Sequence, residues 1–300
     1  MGKRIAALDI GGTSIKSGIY SDGKLEKIRE TPTTASWGGP SVIERAKQVI
    51  RDYEEPFNAV GISTAGQVDS RRGIIIYANE NIPDYTGTKV REEFEKEFSI
   101  PAAVENDVNS AALGEAVFGS GKNERDFLCI TYGTGVGGAI VSGGAIYTGS
   151  AYSAGEFGGI VTHPEAIRAG DPFSGCYEKY ASTTALVLAA SRIDPSITNG
   201  RQVFERAGEL KIARAIDLWI DEIVHGLVSL THIFNPSLIV LGGGVMAQES
   251  VITKIREKAY GRMMKSFCGV RFEPASLGNR AGLLGAAWLA DQLGGDSVGG

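Results

Sequence analysis

The chain has 300 residues, 43% of them hydrophobic and 22% charged, with a formal net charge of -5. That is enough for one large or two ordinary domains with a sizeable core, and the acidic balance argues against nucleic acid or an anionic membrane surface as the main partner. No run is apolar for the roughly 18 residues a membrane span needs, the opening apolar run is broken too early for a signal peptide, and three widely separated cysteines (Cys129, Cys176, Cys268) suit a reducing cytoplasm better than a disulfide scaffold.

Residues 4–9 and 15–20 are short apolar runs split by Gly11-Gly12, and Asp22-Gly23 marks a turn before Lys24. The pattern predicts strand, glycine turn, strand, turn, strand. Val42, Ile43, Ala46, Val49 and Ile50 recur at helical spacing, which predicts a helix over 41–53. Ala59 to Ser63 reads as a buried strand. Residues 89–98 read as a charged amphipathic helix with Val90, Phe94 and Phe98 on one side. Ile100 to Val104 reads as another strand, and Val108 to Phe118 as a helix.

A second cycle starts near residue 126. Phe127 to Thr131 reads as a strand, Gly133 to Gly138 as a glycine turn, and Ala139 to Val141 as a strand again. A long helix is expected over 210–234, with Ile216, Trp219, Ile220, Ile223, Leu227, Leu230 and Phe234 on its apolar face. Leu238 to Leu241 reads as a buried strand before Gly242-Gly243-Gly244, which opens a further helix. A final helix covers 280–293, with a frayed tail after it. The strand–turn–strand unit thus occurs once in each half, implying two α/β lobes with a cleft between them.

Glycine is the unusual component, 41 residues, about twice the ordinary share of roughly 7%. Many cluster beside β-branched runs, where a bare backbone can approach phosphate closely. In Asp9-Ile10-Gly11-Gly12-Thr13, turn N–H groups and the Thr13 hydroxyl can line a phosphate. A carboxylate there, Asp9, typically holds Mg²⁺ through water. A plain hairpin with an Asp in its turn explains the same residues. Gly133-Thr134-Gly135-Val136-Gly137-Gly138 matches the dinucleotide fingerprint, but that fold needs a helix right after the glycines, and a strand follows here. A second phosphate hairpin fits better than a glycine-rich hairpin without ligand.

Glu105-Asn106-Asp107 sits at a strand end before a helix. Asp107 is a candidate general base for a substrate hydroxyl, with Asn106 positioning it. Asp is also a favoured helix N-cap, so Asp107 can equally serve the backbone alone. Glu156 and Glu178, both near glycines, are candidate acceptors for sugar hydroxyls or simply surface residues. Gly243 lies either under a nucleotide or in a tight turn.

Taken in order, Asp9-Ile10-Gly11-Gly12-Thr13, Glu105-Asn106-Asp107, Gly133 to Gly138, Gly155-Glu156-Phe157-Gly158, Gly175-Cys176-Tyr177-Glu178 and Gly242-Gly243-Gly244 resemble the ROK family of sugar kinases and repressors, over about residues 4–290. The resemblance implies an α/β, actin-like ATPase (ribonuclease H-like) fold of two lobes: residues 1–118 with 281–294, residues 119–280, and a flexible tail over 295–300. It implies transfer of the γ-phosphoryl group of ATP, with Mg²⁺, to a sugar hydroxyl, expected to be the 6-hydroxyl of a hexose. Asp107 would be the catalytic base. Gly66, Asn81, Asn106, Asp107, Glu156 and Glu178 would bind the sugar. Asp9, Gly11, Gly12, Thr13, Gly133, Thr134, Gly135, Gly137, Gly138 and Gly243 would hold the nucleotide. A cytoplasmic homodimer is implied.

The chain departs from the family where many members carry a structural zinc. The family histidine that also touches the sugar is Gly159 here. Two cysteine positions are Ala169 and Asp171, and only Cys176 remains. One thiol cannot make a four-ligand site, so no structural zinc is expected. A rebuilt site from His163, Asp171 and Cys176 is the alternative. Ordinary packing by Pro164, Ile167, Pro172 and Phe173 should then hold the 160–175 loop. Ala65 also replaces a proline common in the family. The stretches Gly61 to Asp69 and Ile82 to Thr88, with Tyr77, look more like the zinc-less bacterial N-acetylmannosamine kinases, with β-glucoside kinase or glucokinase as alternatives. The repressor class carries an amino-terminal helix-turn-helix, and with the first strand expected at about Arg4 none is expected here. A non-catalytic regulator is disfavoured by the intact Asp107.

Overall fold

The computed structural model describes residues 3–171 and 173–293, so the expectations for Pro172 and the tail lie outside the described residues. The chain forms two units. One comprises the residues up to Lys122, Thr148–Ala154 and Asn279 onward; the other comprises Asn123–Tyr147 and Gly155–Gly278.

In the first unit, β1 (Ile5–Ile10), β2 (Ser14–Ser21), β3 (Lys24–Pro32), α1 (Gly39–Arg51) and β4 (Ala59–Thr64) follow in turn. They lead through the hairpin β5 (Gln67–Asp69) and β6 (Ile74–Tyr77) to α2 (Val90–Phe98), β7 (Ala102–Asn106) and α3 (Asp107–Phe118). The sheet order is β3-β2-β1-β4-β7. The first three strands are antiparallel, and β1, β4 and β7 are parallel. Helix α1 buries Val42, Ile43, Ala46, Val49 and Ile50, the positions its periodicity marks. These side chains join Leu8, Ile10, Ile62, Phe94 and Val104 in one core.

In the second unit, β8 (Phe127–Tyr132), β9 (Val136–Ser142) and β10 (Ala145–Ile146) form an antiparallel meander. Four helices follow: α4 (Glu178–Ala181), α5 (Thr183–Ser191), α6 (Gly200–Glu205) and α7 (Leu210–Phe234). Then come β11 (Leu238–Gly242), α8 (Glu249–Tyr260) and β12 (Arg271–Pro274), giving the order β10-β9-β8-β11-β12. Antiparallel meander first and parallel strands after, this repeats the topology of the first unit. Helix α7 spans the residues its periodicity predicts, and its Trp219 Nε1–H donates to the carbonyls of Ala181 and Ser182. Phe234, expected on the buried face, is partly exposed and packs against Phe157 with ring centroids 5.7 Å apart.

The last helix, α9 (Ala281–Gln292), returns to the first unit and lies against β1, β4 and α3. Its small residues allow backbone to meet backbone. A Cβ on Gly285 would stand 1.8 Å from the Ser110 carbonyl oxygen, one on Gly114 of α3 2.3 Å from that of Ala281, and one on Gly61 of β4 2.1 Å from that of Ala286.

The glycine turn after β8 is shorter than its run of glycines suggests. Strand β9 already begins at Val136, so Gly137 and Gly138 are strand residues. Gly138 is small because Phe157 and the Gly155 carbonyl press on it, at 2.2 Å and 2.5 Å from a Cβ position. After Gly242-Gly243-Gly244 comes one 3-10 turn, Gly244–Ala247, before α8 begins. Helices α5, α6 and α8 and strand β12 carry no strong sequence signal. Ile167 and Phe173 do not pack the 160–175 loop: both are exposed. Backbone hydrogen bonds hold it instead, from Thr162 and His163 N–H to the Gly175 carbonyl and from Tyr177 N–H to Ile160, along with His163 stacked on Tyr180 at 3.6 Å.

Candidate functional site

In the first unit, the carboxyl ends of the parallel strands carry the polar residues. Asp9 on β1 pairs in register with Ser63 on β4, and Thr64 with Asn106 on β7. Ser63 is fully buried, and its hydroxyl donates to Asp9 Oδ1 at 2.7 Å. Helix α9 closes over this pair, with Gly282 so near that a Cβ would lie 3.2 Å from both the Asp9 carboxyl and the Ser63 hydroxyl.

Asn106, not Asp107, caps α3. Its Oδ1 accepts from the N–H groups of Val108 and Asn109 at 2.9 and 3.1 Å. Its Nδ2 donates to the Gly66 carbonyl at 2.9 Å and to Asp107 Oδ1 at 2.8 Å. One side chain therefore satisfies the helix end and holds the neighbouring carboxylate. Buried Glu105 braces the turn from behind, its Oε1 accepting from Asn106 N–H at 2.9 Å and Asn109 Nδ2 at 3.0 Å. Nothing in the spacing distinguishes this bracing carboxylate from a surface one; only its burial does.

With Asn106 as the cap, Asp107 opens α3, its Oδ1 accepting from Val108 N–H at 2.9 Å, in a partly desolvated setting. Its pKa is pushed up to about 6, first by burial and then by the negative charge of Asp9, against hydrogen bonds from Val108 and Asn106 that lower it. Burial also raises Asp9, opposed by the Ser63 hydrogen bond and the charge of Lys16. A carboxyl whose pKa is raised toward neutrality by burial and by one neighbouring like charge fits the pattern of a general base.

Gly66, at φ 98°, is drawn into this network through its carbonyl. Asn81 is not; it lies in an exposed turn with its N–H bonded to Asn79 Oδ1. The Gly11-Gly12-Thr13 turn is tied down by Gly11 N–H to the Ser14 carbonyl and by Thr33, whose hydroxyl donates to the Gly11 carbonyl at 2.7 Å. Gly12 has open space where a Cβ would be, and Gly12 and Thr13 are exposed, leaving the turn's outer face free for a ligand.

The second unit brings Gly135 of the Gly133-Thr134-Gly135 turn against Glu178. The Gly133 carbonyl accepts from Thr183 N–H at 3.0 Å, tying the hairpin to the start of α5. Beside it is a cavity of about 720 Å³, within the range of a small-molecule site. Tyr132, Gly133 and Thr134 line it on one side, α5 and α6 on another, and Gly244 and Val245 on a third. Gly243, at φ 106°, does not line the cavity. It packs on Tyr132, whose carbonyl oxygen is 2.2 Å from a Cβ position. Thr183 of α5 and Asn199, the cap of α6, are not marked in the sequence because neither helix bears a recognisable motif.

Glu156 is exposed at the head of a single 3-10 turn, Phe157–Gly159. The three residues of a rebuilt metal site have other engagements. His163 Nε2 lies 3.5 Å from Glu222, the Cys176 thiol donates to the Gly159 carbonyl, and Asp171 accepts from Phe173 N–H. Among the described residues no group of three His, Cys, Asp or Glu is placed to hold a metal ion, and no helix is long and apolar enough to cross a membrane.

Two α/β units on one repeated strand order, each with a glycine turn after its first strand, define an actin-like ATPase fold. Residues 5–293 match the ROK family, and the chain belongs to it. A glucokinase from Streptomyces coelicolor is 33% identical, covering 94% of this chain and 96% of its own. A β-glucoside kinase from Listeria innocua is also 33% identical, covering 95% and 96%. The solved structure of a ROK family glucokinase from Streptomyces griseus, in complex with glucose and AMPPNP, has a TM-score of 0.84 at 30% identity and covers 96% of this chain and 99% of that one.

Proposed function

We propose that this chain is an ATP-dependent sugar kinase that transfers the γ-phosphoryl group to the 6-hydroxyl of a hexose, with Asp107 as the base. The observation that carries the reading is the turn at Asn106-Asp107: a carboxylate next to the helix cap, held by an amide, with its pKa pushed up to about 6. Asp107 takes the proton of the hydroxyl and orients its oxygen. In phosphoryl transfer most of the catalysis is positioning and charge stabilisation. Asn106, Glu156 and Glu178 bind sugar hydroxyls, with Gly66 shaping the pocket. The turns at 11–13 and 133–135 bind phosphate, and the cavity between Thr134 and Gly244 takes the adenosine. The donor set near Asp9, a carboxylate with the Thr13 hydroxyl, is hard oxygen and suits Mg²⁺. Asp9 would hold that ion through water, and the ion would neutralise phosphate charge. The reading extends to a homodimer in the cytoplasm.

A Cβ at Gly159 would meet nothing within 4 Å. That openness supports an acceptor bearing a substituent, N-acetylmannosamine ahead of β-glucosides. ADP release measured over glucose, N-acetylmannosamine, N-acetylglucosamine, mannose and cellobiose is the test. Turnover of a substituted sugar ahead of glucose is expected. No turnover with any of the five would remove the kinase reading, and strict preference for glucose would remove the substituent.

A pH dependence follows from the raised pKa of Asp107. The base works only when deprotonated, so kcat/KM for the sugar should fall as pH drops through about 6. An acid limb near pH 4, the range of an ordinary carboxylate, would point to another group. Elemental analysis of protein purified without chelator should find zinc far below one per chain. Near-stoichiometric zinc would show that expectation wrong.

A further inference from the structure

The Glu178 carboxylate lies in a slot walled by two glycines. A Cβ on Gly135 would stand 2.6 Å from Glu178 Oε2, and one on Gly158 would stand 3.1 Å from the same oxygen. The first separation is shorter than real Cβ contacts allow, and the obstructing atom is the end of a flexible side chain. A methyl group at 135 would therefore move the carboxylate rather than break the fold. Backbone strain does not enter, because Gly135, unlike Gly66 or Gly243, has no left-handed φ. The ends of this arrangement are anchored. Glu178 opens α4, Tyr177 just before it bonds Ile160 through its N–H, and Thr183 N–H reaches the Gly133 carbonyl. The hairpin, the Gly155–Gly159 loop and the Glu178 helix thus meet at one carboxylate oxygen.

We infer that Gly135 is a positioning residue for Glu178, so that the hairpin reading nucleotide phosphate also sets the carboxylate reading the sugar, and each substrate tightens the other. The inference rests on the sugar-binding role of Glu178 in the proposed function. It gives the glycine at 135 a second requirement besides close approach of phosphate. A shift of the hairpin when phosphate binds is passed to Oε2 by direct contact, and a contact that favours one bound arrangement couples the two affinities reciprocally.

The test is calorimetric binding of the sugar selected by the acceptor panel, with and without AMPPNP. It uses the full-length protein and the variants Gly135→Ala, Glu178→Gln and the pair together, each with a thermal melt. In the unaltered protein AMPPNP should tighten sugar binding about 5-fold or more. Gly135→Ala should weaken sugar binding about 10-fold even without nucleotide, remove most of the AMPPNP effect and leave the melting temperature nearly unchanged. The pair should lose less than the product of the single losses, since both disturb one contact. If Glu178→Gln weakens sugar binding while Gly135→Ala changes only nucleotide affinity, the inference fails and the sugar role of Glu178 stands. If Glu178→Gln leaves sugar binding intact, the sugar role fails and the inference falls with it. Multiplicative losses in the pair would also overturn it. As a conservative check, Glu178→Asp withdraws the carboxylate by one methylene, and Gly135→Ala in that background should cost clearly less than alone.

Discussion

Asp107→Asn should lower kcat by about 100-fold or more, with the fold intact. The substitution keeps the size of the side chain but removes its negative charge and its ability to take a proton. The helix end does not depend on it, because Asn106 supplies the cap through Val108 and Asn109. The Asn106 amide donates to Asp107 Oδ1, and the new side chain can present its own oxygen there. Steady-state kinetics beside a thermal melt decide the matter. A folded variant with near-normal kcat would end the assignment of Asp107 as base. The melt is informative too. A half-buried carboxylate whose pKa is raised on folding weakens the folded state as pH rises through about 6, so the neutral amide should be no less stable at pH 8.

The second large effect is on stability and comes from a glycine far from any motif. Gly285→Val should cost about 3 kcal/mol, a melting temperature lower by about 5–10 °C, or prevent folding altogether. The added Cβ would lie 1.8 Å from the Ser110 carbonyl oxygen and 3.0 Å from Gly114 N. Both are backbone atoms, so relief requires α3 and α9 to separate. Since α9 also seats Gly282 against Asp9 and Ser63, the variant should lose activity ahead of its melting transition. Gly269→Ala is the comparison: nothing lies within 4 Å of its Cβ position, and it should shift stability by no more than about 0.5 kcal/mol. Equal melting temperatures for the two variants would mean that the α3–α9 contact is looser than these distances imply.

Much of this protein was legible along the chain because its signals are local. Helix α7 announces itself by apolar residues at 3.6-residue spacing, strand β4 by an unbroken buried run, and the two hairpins by glycine after a β-branched strand. The residues with a chemistry of their own, Asp9, Asn106, Asp107 and Glu178, stand out by type and neighbours. What each of them does is settled by atoms distant in sequence. Whether Asn106 or Asp107 caps α3 depends on how β7 delivers the turn, since both side chains are capable of capping. The pKa of Asp107 depends on burial and on Asp9, 98 positions earlier in the chain. The glycines divide most clearly between the two kinds of information. A run such as Gly133 to Gly138 looks uniform in sequence, yet Gly133 faces open space, Gly135 seats a carboxylate and Gly138 admits Phe157. A missing side chain has no pattern of its own, and only the packed neighbour shows why it is missing.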